Sequence, residues 1–151
     1  MSYSTVKDVL DYSQQLHEHA RNLYQQLRDQ TQRERVDMML QLLAEHENTL
    51  AHSMQNLHEH TSQKVLSEWH QFEPGSIAKA LDGCKQCHPD LSVDELVEIA
   101  LKIDDYLIHL YRQMASEATS GESRQLFENL AQLEETEKIR TVRAALSAND
   151  W

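Results

Sequence analysis

The sequence predicts an all-α protein folded as an antiparallel four-helix bundle; its composition, helical hydrophobic stripes and internal repeat support this. The chain has 151 residues, the size of one domain and enough to bury a core. It contains only 3 Gly and 2 Pro, so few residues interrupt a helix. Leu, Gln, Glu and Ala are abundant while β-branched residues are scarce, which disfavours strands. We therefore expect residues 1–151 to form one helical domain.

The second half of the chain repeats the first with an offset of 87 positions. Residues 23–27 align with 110–114, and Leu43-Ala44 aligns with Leu130-Ala131 without a gap. Positions 23–50 contain seven identities with their counterparts, where about two are expected from ordinary residue frequencies. The repeat predicts two similar helix pairs, at about 4–66 and 92–147.

Each repeat contains two segments of helix length. They run over 4–29 and 33–66 in the first repeat, and over 92–118 and 121–147 in the second. The joints are short, which favours antiparallel partners, and Gly121 after Ser120 suits a helix stop and restart. A longer segment at about 70–91, with Pro74-Gly75 and Pro89, is predicted to be the crossover between the two pairs.

The apolar stripe of every predicted helix is interrupted by ionisable side chains. Read at steps of three and four, the stripes contain His17, Glu47, Asp104, Glu134 and Glu137. The repeat aligns His17 with Asp104 and Glu47 with Glu134. Because antiparallel helices with short joints bring their midpoints to one level, we expect these five side chains to converge in the bundle. Carboxylate and imidazole ligands suit Fe, Mn or Zn.

Two other interpretations need no metal. Residues at the edge of a stripe can extend a charged group into solvent, and buried carboxylates can be protonated or paired within the bundle. The shared anomaly on all four helices favours a common site over coincidence.

These residues resemble the repeat of the rubrerythrin-like branch of the ferritin-like superfamily, over nearly the whole chain outside the crossover. That repeat has an acidic residue, a Tyr seven residues later, and then Leu-Ala-x-x-Glu-x-x-His. The first half here reads His17, Tyr24 and then Leu43-Ala44-Glu45-His46-Glu47-Asn48-Thr49-Leu50. The second half reads Asp104, Tyr111 and then Leu130-Ala131-Gln132-Leu133-Glu134-Glu135-Thr136-Glu137.

The resemblance implies a ferritin-like bundle with a metal centre that binds Fe and can be a di-iron site. It also implies that the bound metal reacts with peroxide or oxygen. It also implies that Tyr24 and Tyr111 donate hydrogen bonds to the carboxylates, although both are equally suited to be large core side chains. The chain departs from the pattern: His17 and Asp104 replace Glu, Glu137 replaces one His, and Leu50 replaces the other. Since Leu50 cannot coordinate a metal, the alternative is a metal-free scaffold with a structural or protein-interaction role.

The formal net charge of −11 disfavours nucleic acid and anionic membrane surfaces as partners. The N-terminal residues lack the apolar core of a signal peptide, and no stretch is apolar enough to span a membrane. The cytoplasm is the expected location. A homodimer is also predicted, because four residues suggest a second apolar edge on the helices: Leu16, Leu23, Met39 and Leu42.

The segment Cys84-Lys85-Gln86-Cys87-His88 matches a short haem-attachment pattern. Without an export signal we expect two free thiols first, a zinc site with His70 as a fourth ligand second, and haem last. The remaining histidines mostly fall off the apolar stripes and are expected in solvent. Among them His46 lies beside Glu47 and could reach the site from its edge, but a surface role is favoured.

Overall fold

The computed structural model describes residues 3–72 and 90–148, and this part of the chain is dominated by four long helices. We number the elements in chain order. The helices are α1 (Val6–Gln30), α2 (Glu34–His60), α3 (Gln63–Leu66), α4 (Val93–Glu117) and α5 (Gly121–Ser147). Two short strands accompany them, β1 (Ser4–Thr5) and β2 (Trp69–His70). The prediction of an all-α bundle is confirmed.

Local capping determines where the helices begin. Thr5 and Asp8 form a capping box at the start of α1, and Ser92 and Glu95 form another at the start of α4. Each box satisfies backbone N–H groups that the first turn of a helix leaves unpaired. The Ser120 side chain accepts a hydrogen bond from Ser123 N, so the predicted restart at Gly121 is confirmed.

The second predicted helix is too long. Instead of continuing to residue 66, α2 ends at His60 and Thr61 is its C-cap residue. Ser62 then adopts an extended conformation and accepts a hydrogen bond from Val65 N, which starts the separate helix α3. The apolar stripe continues through Val65 and Leu66, which are buried, so hydrophobic period alone did not reveal the break.

The two strands tie the N-terminus to the chain that leaves α3. They pair antiparallel with Ser4 opposite His70 and Thr5 opposite Trp69. Val6 N also donates a hydrogen bond to the carbonyl of Glu68, at 2.9 Å. This pairing was not predicted, since two-residue strands carry no periodic signal. It fixes the start of the segment expected to cross the bundle.

The long helices pack as two antiparallel pairs. In the first pair Arg28 Nε donates to Asp37 Oδ1 at 2.9 Å near the joint, while His58 lies 3.3 Å from Asp11 at the far end. In the second pair Lys138 Nζ donates to Asp105 Oδ1 at 2.5 Å, and further along Arg112 pairs with Glu135. Such contacts require opposite chain directions within each pair.

Two apolar clusters fill the bundle, one towards each end. The first contains Leu10, Leu16, Leu107, Tyr111 and Phe127, and the second contains Tyr24, Leu40, Leu43, Leu96 and Ile103, each with further apolar neighbours. Along α1 the first cluster ends at Leu16 and the second begins at Ala20; along α4 the second ends at Ile103 and the first begins at Leu107. The residues between these limits form the middle of the bundle.

The four residues that suggested a second apolar edge do not form one. Leu16 and Met39 are fully buried, and Leu23 and Leu42 pack against the core with partial exposure. These residues therefore give no support to a homodimer, which stays a prediction. None of the helices in the described ranges combines the length and apolar character that a membrane span requires. Most of the predicted crossover, with Cys84, Cys87 and His88, lies outside the described residues.

Candidate metal centre

All five ionisable residues predicted from the stripes are buried in the gap between the two apolar clusters. We call these five side chains the polar layer. Their exposed fractions are 0% for His17, 4% for Glu47, 4% for Asp104, 1% for Glu134 and 3% for Glu137. The interpretation in which they reach solvent from helix edges is therefore wrong. Because buried ionisable groups are unfavourable unless they are paired or hydrogen-bonded, the contacts of these five side chains determine how stable the layer is.

His17 lies between two carboxylates and contacts both. Its Nδ1 is 2.5 Å from Glu47 Oε2, and its Nε2 is 2.6 Å from Glu134 Oε1. Glu47 is on the neighbouring helix α2, whereas Glu134 is on α5, so this imidazole joins the two helix pairs. Ionised carboxylates only accept hydrogen bonds, so an imidazole that serves two of them must donate from both nitrogens and carry a positive charge.

The electrostatics agree with a charged imidazole. Burial alone would lower the pKa of His17, but the charges of Glu134 and Glu47 and their hydrogen bonds raise it well above its usual value. Burial raises the pKa of Glu47, while His17 opposes that shift. The ring thus acts as a buried cation between two acids.

Asp104, the repeat counterpart of His17, is held in its neutral form, whereas His17 is held in its charged form. Burial raises its pKa to about 9, and the nearby charges of Glu47 and Glu134 add to the shift. At neutral pH this carboxyl group is therefore protonated. The two equivalent positions hold a cation in one half and a neutral acid in the other.

Two carboxylate oxygens in the polar layer remain without a hydrogen bond. Glu134 Oε2 and Glu137 Oε2 are both buried and have no hydrogen-bond partner within the described ranges. The other Glu137 oxygen, Oε1, accepts from Arg140 Nη1 at 2.9 Å. Buried polar atoms without partners are rare in proteins, so these two oxygens are candidates for binding a further group.

His46 lies at the edge of this layer and is not the solvated side chain that was favoured from sequence. Its side chain is 17% exposed, and its Nδ1 is buried without a hydrogen-bond partner. That atom is 3.7 Å from Glu137 Oε2. Burial lowers the pKa of His46, although Glu137 opposes the shift, so burial favours the neutral ring.

The two tyrosines of the repeat are fully buried. The Tyr111 hydroxyl contacts Met54 Sδ at 3.8 Å. Burial, and next the charge of Glu134, raise the pKa of Tyr111 well above its usual value. Tyr111 thus behaves as a large core side chain stacked on Phe127, with ring centroids 6.4 Å apart.

Two further residues differ from expectation. Arg140 was not singled out in the sequence, because it lies on a polar face three residues after Glu137 and resembles any exposed cation. His70 was expected in solvent or on zinc, but it is buried, with Nε2 3.5 Å from Ser123 Oγ and its ring against Phe127. His19, His52, His60 and His109 are exposed as expected.

The donor atoms are of the right chemical kind for a metal ion but are not arranged around a common point. In the part of the chain that the structure describes, no three His, Cys, Asp or Glu side chains stand ready to hold one. The imidazole of His17 lies between Glu47 and Glu134. An ion bound by both carboxylates would require this ring to turn and give up at least one hydrogen bond.

Comparison with known proteins identifies the architecture. No protein-family model and no curated protein matches the sequence. Among solved structures, a protein from Thermotoga maritima, provisionally described as a ferritin-like diiron-carboxylate protein, matches with a TM-score of 0.64. The match covers 98% of this chain and 99% of that chain at 14% identity. The chain has a ferritin-like fold.

A second solved structure supports the same ferritin-like architecture. It is a hypothetical protein from Pyrococcus furiosus, with a TM-score of 0.55 and 14% identity, covering 97% of this chain and 92% of that one. Both matches run nearly the full length of each chain. At this identity the similarity establishes the ferritin-like fold alone. Whether the chain binds a metal depends on the residues of the polar layer.

Proposed function

We propose that this ferritin-like protein binds a divalent metal ion in the polar layer, and that it is a divergent relative of the rubrerythrin-like branch. The observation that carries the proposal is the pair of buried, unpartnered oxygens, Glu134 Oε2 and Glu137 Oε2. They lie in a layer to which all four long helices contribute carboxylate or imidazole groups. A cation among them would satisfy oxygens that otherwise have no partner.

The donor set fits Fe, Mn or Zn. Glu47, Glu134 and Glu137 would supply oxygens, and His17 a nitrogen once it has released one of its two carboxylate partners. Asp104 would join only after losing its proton, because a metal ligand has to be deprotonated. Leu50 supplies no donor at the position where the resemblance implies a histidine, which favours one ion over a pair.

Iron or manganese bound here would supply redox chemistry toward peroxide or oxygen, and zinc would supply charge alone. The chain's own part in such a site is to hold protons and exclude water. His17 keeps protons on Nδ1 and Nε2 in the metal-free layer, and Asp104 keeps one on its carboxyl group. Binding a cation would displace some of these protons, so metal affinity should rise with pH.

Melting temperature with and without metal tests the proposal. A metal at 100 times its dissociation constant adds about 2.7 kcal/mol to the free energy of unfolding. For a chain of this length that raises the melting temperature by roughly 5 to 10 °C. Glu134→Gln should abolish most of this increment, whereas Glu59→Gln, at an exposed position of α2, should leave it intact.

Metal analysis of protein purified without added metal provides an independent test. Bound Fe, Mn or Zn near stoichiometric amounts would support the proposal. If chelated and loaded samples melt together for all three metals, the proposed function is wrong.

A metal-free scaffold is the second candidate, and a specific contact favours it. The imidazole of His17 already satisfies one oxygen of Glu47 and one of Glu134. It thereby takes the place of a cation between them. In that case the polar layer would specify how the helix pairs dock, and function would lie on the protein surface. Melting that does not respond to metal, together with empty purified protein, would support this candidate.

A further inference from the structure

Two buried polar atoms face each other at the edge of the polar layer without a hydrogen bond between them. His46 Nδ1 on α2 and Glu137 Oε2 on α5 are 3.7 Å apart, which is too far for a hydrogen bond. Neither atom has a hydrogen-bond partner elsewhere in the described ranges. Since buried donors and acceptors are nearly always paired, a third group is expected between them.

The separation matches that of two ligands on one metal ion. Bonds of about 2.1 Å put two ligands about 3.4 Å apart in a tetrahedral site and about 4.2 Å apart when they lie opposite each other. The observed 3.7 Å falls between these limits. A nitrogen and an oxygen at this distance can therefore bind one ion with little movement.

We propose that His46 and Glu137 are ligands of the same divalent ion, and that His46 supplies through Nδ1 a nitrogen that Leu50 cannot. This inference rests on the proposed function, and it names a residue outside the predicted ligand set. His46 and Leu50 are four residues apart on α2, so they lie on one side of the helix, a turn apart. His46 thus supplies, at the edge of the layer, the nitrogen that is missing at Leu50.

Neighbouring side chains prepare this position. Arg140 Nη1 holds Glu137 Oε1 at 2.9 Å, which leaves Oε2 as the free oxygen near His46. The Arg140 side chain is 59% exposed, so solvent screens its charge. Glu134 lies three residues before Glu137 on the same side of α5 and has an unpartnered Oε2. This oxygen would have to move to become a third donor, since no three such side chains stand ready to hold an ion in the described ranges.

The edge position lies nearer to solvent than the middle of the polar layer. The His46 side chain is 17% exposed, whereas that of His17 is fully buried. Because His46 Nδ1 and Glu137 Oε2 are themselves buried, an ion would reach them only after a local side-chain movement at this edge. Binding to these two atoms does not by itself require His17 to release Glu47 or Glu134.

Zinc titration calorimetry of chelator-treated protein tests the assignment with a matched pair of variants. His46→Gln should weaken Zn²⁺ binding by at least about tenfold. His52→Gln, at an exposed histidine of the same helix, should bind Zn²⁺ as the parent does. Metal-free His46→Gln should melt with the parent, because Nδ1 makes no hydrogen bond to lose.

Nitrogen NMR gives a direct readout. In long-range ¹H–¹⁵N spectra, the Nδ1 resonance of His46 should shift on addition of one equivalent of Zn²⁺. The resonance is assigned by its absence from His46→Gln or, if that variant does not fold, from a conservative His46→Asn variant. The shift identifies His46 itself, whereas a lost affinity alone would not.

The outcomes separate the two proposals. If the parent binds Zn²⁺ while Nδ1 does not shift and His46→Gln binds equally well, the His46 assignment is wrong and the proposed function stands. A water molecule bridging the 3.7 Å gap would give that result. If the parent binds no Zn²⁺, Mn²⁺ or Fe²⁺, both proposals are wrong.

Discussion

The polar layer and the two apolar clusters beside it are equally buried, but different forces hold them together. Phe127, Leu107 and Tyr24 lie in the clusters with no exposed surface, as does His17 in the layer. The clusters are stabilised by burial of apolar area and by close packing. The layer is stabilised only while a positive charge stands between Glu47 and Glu134.

This comparison shows which properties should respond to solution conditions. Packing of apolar side chains does not depend on pH, whereas the layer depends on the protons of His17 and Asp104. The two equivalent positions also act in the same direction with pH. As pH rises above neutrality, His17 loses its charge and Asp104 is forced towards ionisation, so both destabilise the fold.

The largest effect is expected from removing the buried cation. His17→Gln keeps a polar side chain but leaves Glu47 and Glu134 without positive charge between them, which should cost about 3–5 kcal/mol at pH 6 in metal-free protein. The His17 pKa is raised on folding. Its contribution is therefore complete below the unfolded value of about 6.5 and is lost as pH rises through the folded value.

Urea unfolding of parent and His17→Gln from pH 6 to pH 10 measures this effect. The gap between their free energies of unfolding should narrow as pH rises. A constant gap would mean that His17 contributes packing alone.

A truncation in an apolar cluster should cost a similar amount without any pH dependence. Phe127 has no exposed surface and packs on Tyr111 and His70. Phe127→Ala should lower the free energy of unfolding by about 3–5 kcal/mol. The same urea series measures this loss of stability. A loss that varied strongly between pH 6 and pH 10 would show that the apolar clusters also depend on pH.

Replacing Asp104 by a side chain that cannot ionise should change the slope of stability with pH. Its pKa rises from 3.8 in the unfolded chain to about 9 in the fold, so the folded state binds more protons between these values. Stability therefore falls with pH across that window, at roughly 1.4 kcal/mol per unit for one such group. Asp104→Asn should remove this slope and be more stable than the parent at pH 8.

The exposed neighbour on the same helix provides the control. Asp105→Asn should leave the slope of stability between pH 5 and pH 8 unchanged, because this side chain is 57% exposed. If Asp104→Asn and the parent show parallel pH profiles, the Asp104 carboxyl group is not held neutral by the fold.

The smallest effect is expected at the surface. Lys138 and Asp105 form an ion pair between α4 and α5 with both side chains partly exposed. Lys138→Ala should change the free energy of unfolding by about 0–1 kcal/mol, and less in high salt. Thermal melting at low and high salt measures this change. A loss of stability comparable to that of His17→Gln would mean that the surface ion pair contributes as much as the polar layer.

The sequence predicted the bundle and the residues of the polar layer because both depend on helical period. An ionisable residue in an apolar stripe is visible as a break in the pattern, and Glu47 and Glu134 were found that way. The pattern could not predict that His17 would contact both carboxylates, since this depends on side-chain rotamers and on how the two pairs dock. That contact bears on whether the site binds a metal, because His17 itself provides a positive charge between the two carboxylates.

Other misses have equally local causes. The end of α2 at His60 depends on the capping preference of Ser62, which competes with a continuing apolar stripe. Arg140 and His46 lie beside the stripes, so their part in the layer appears only from the distances to Glu137. Their proximity to Glu47 and Glu137 in sequence was the available signal.

The contact between His17 and Glu134 joins residues 117 positions apart, and this has a consequence for folding kinetics. Each helix pair is closed by a short joint, so its internal contacts are local and should form fast. The ion pair between the halves can form only when the pairs dock and expel water from both charges. Docking should therefore be the slow step, and the helix pairs should gain structure before the polar layer closes.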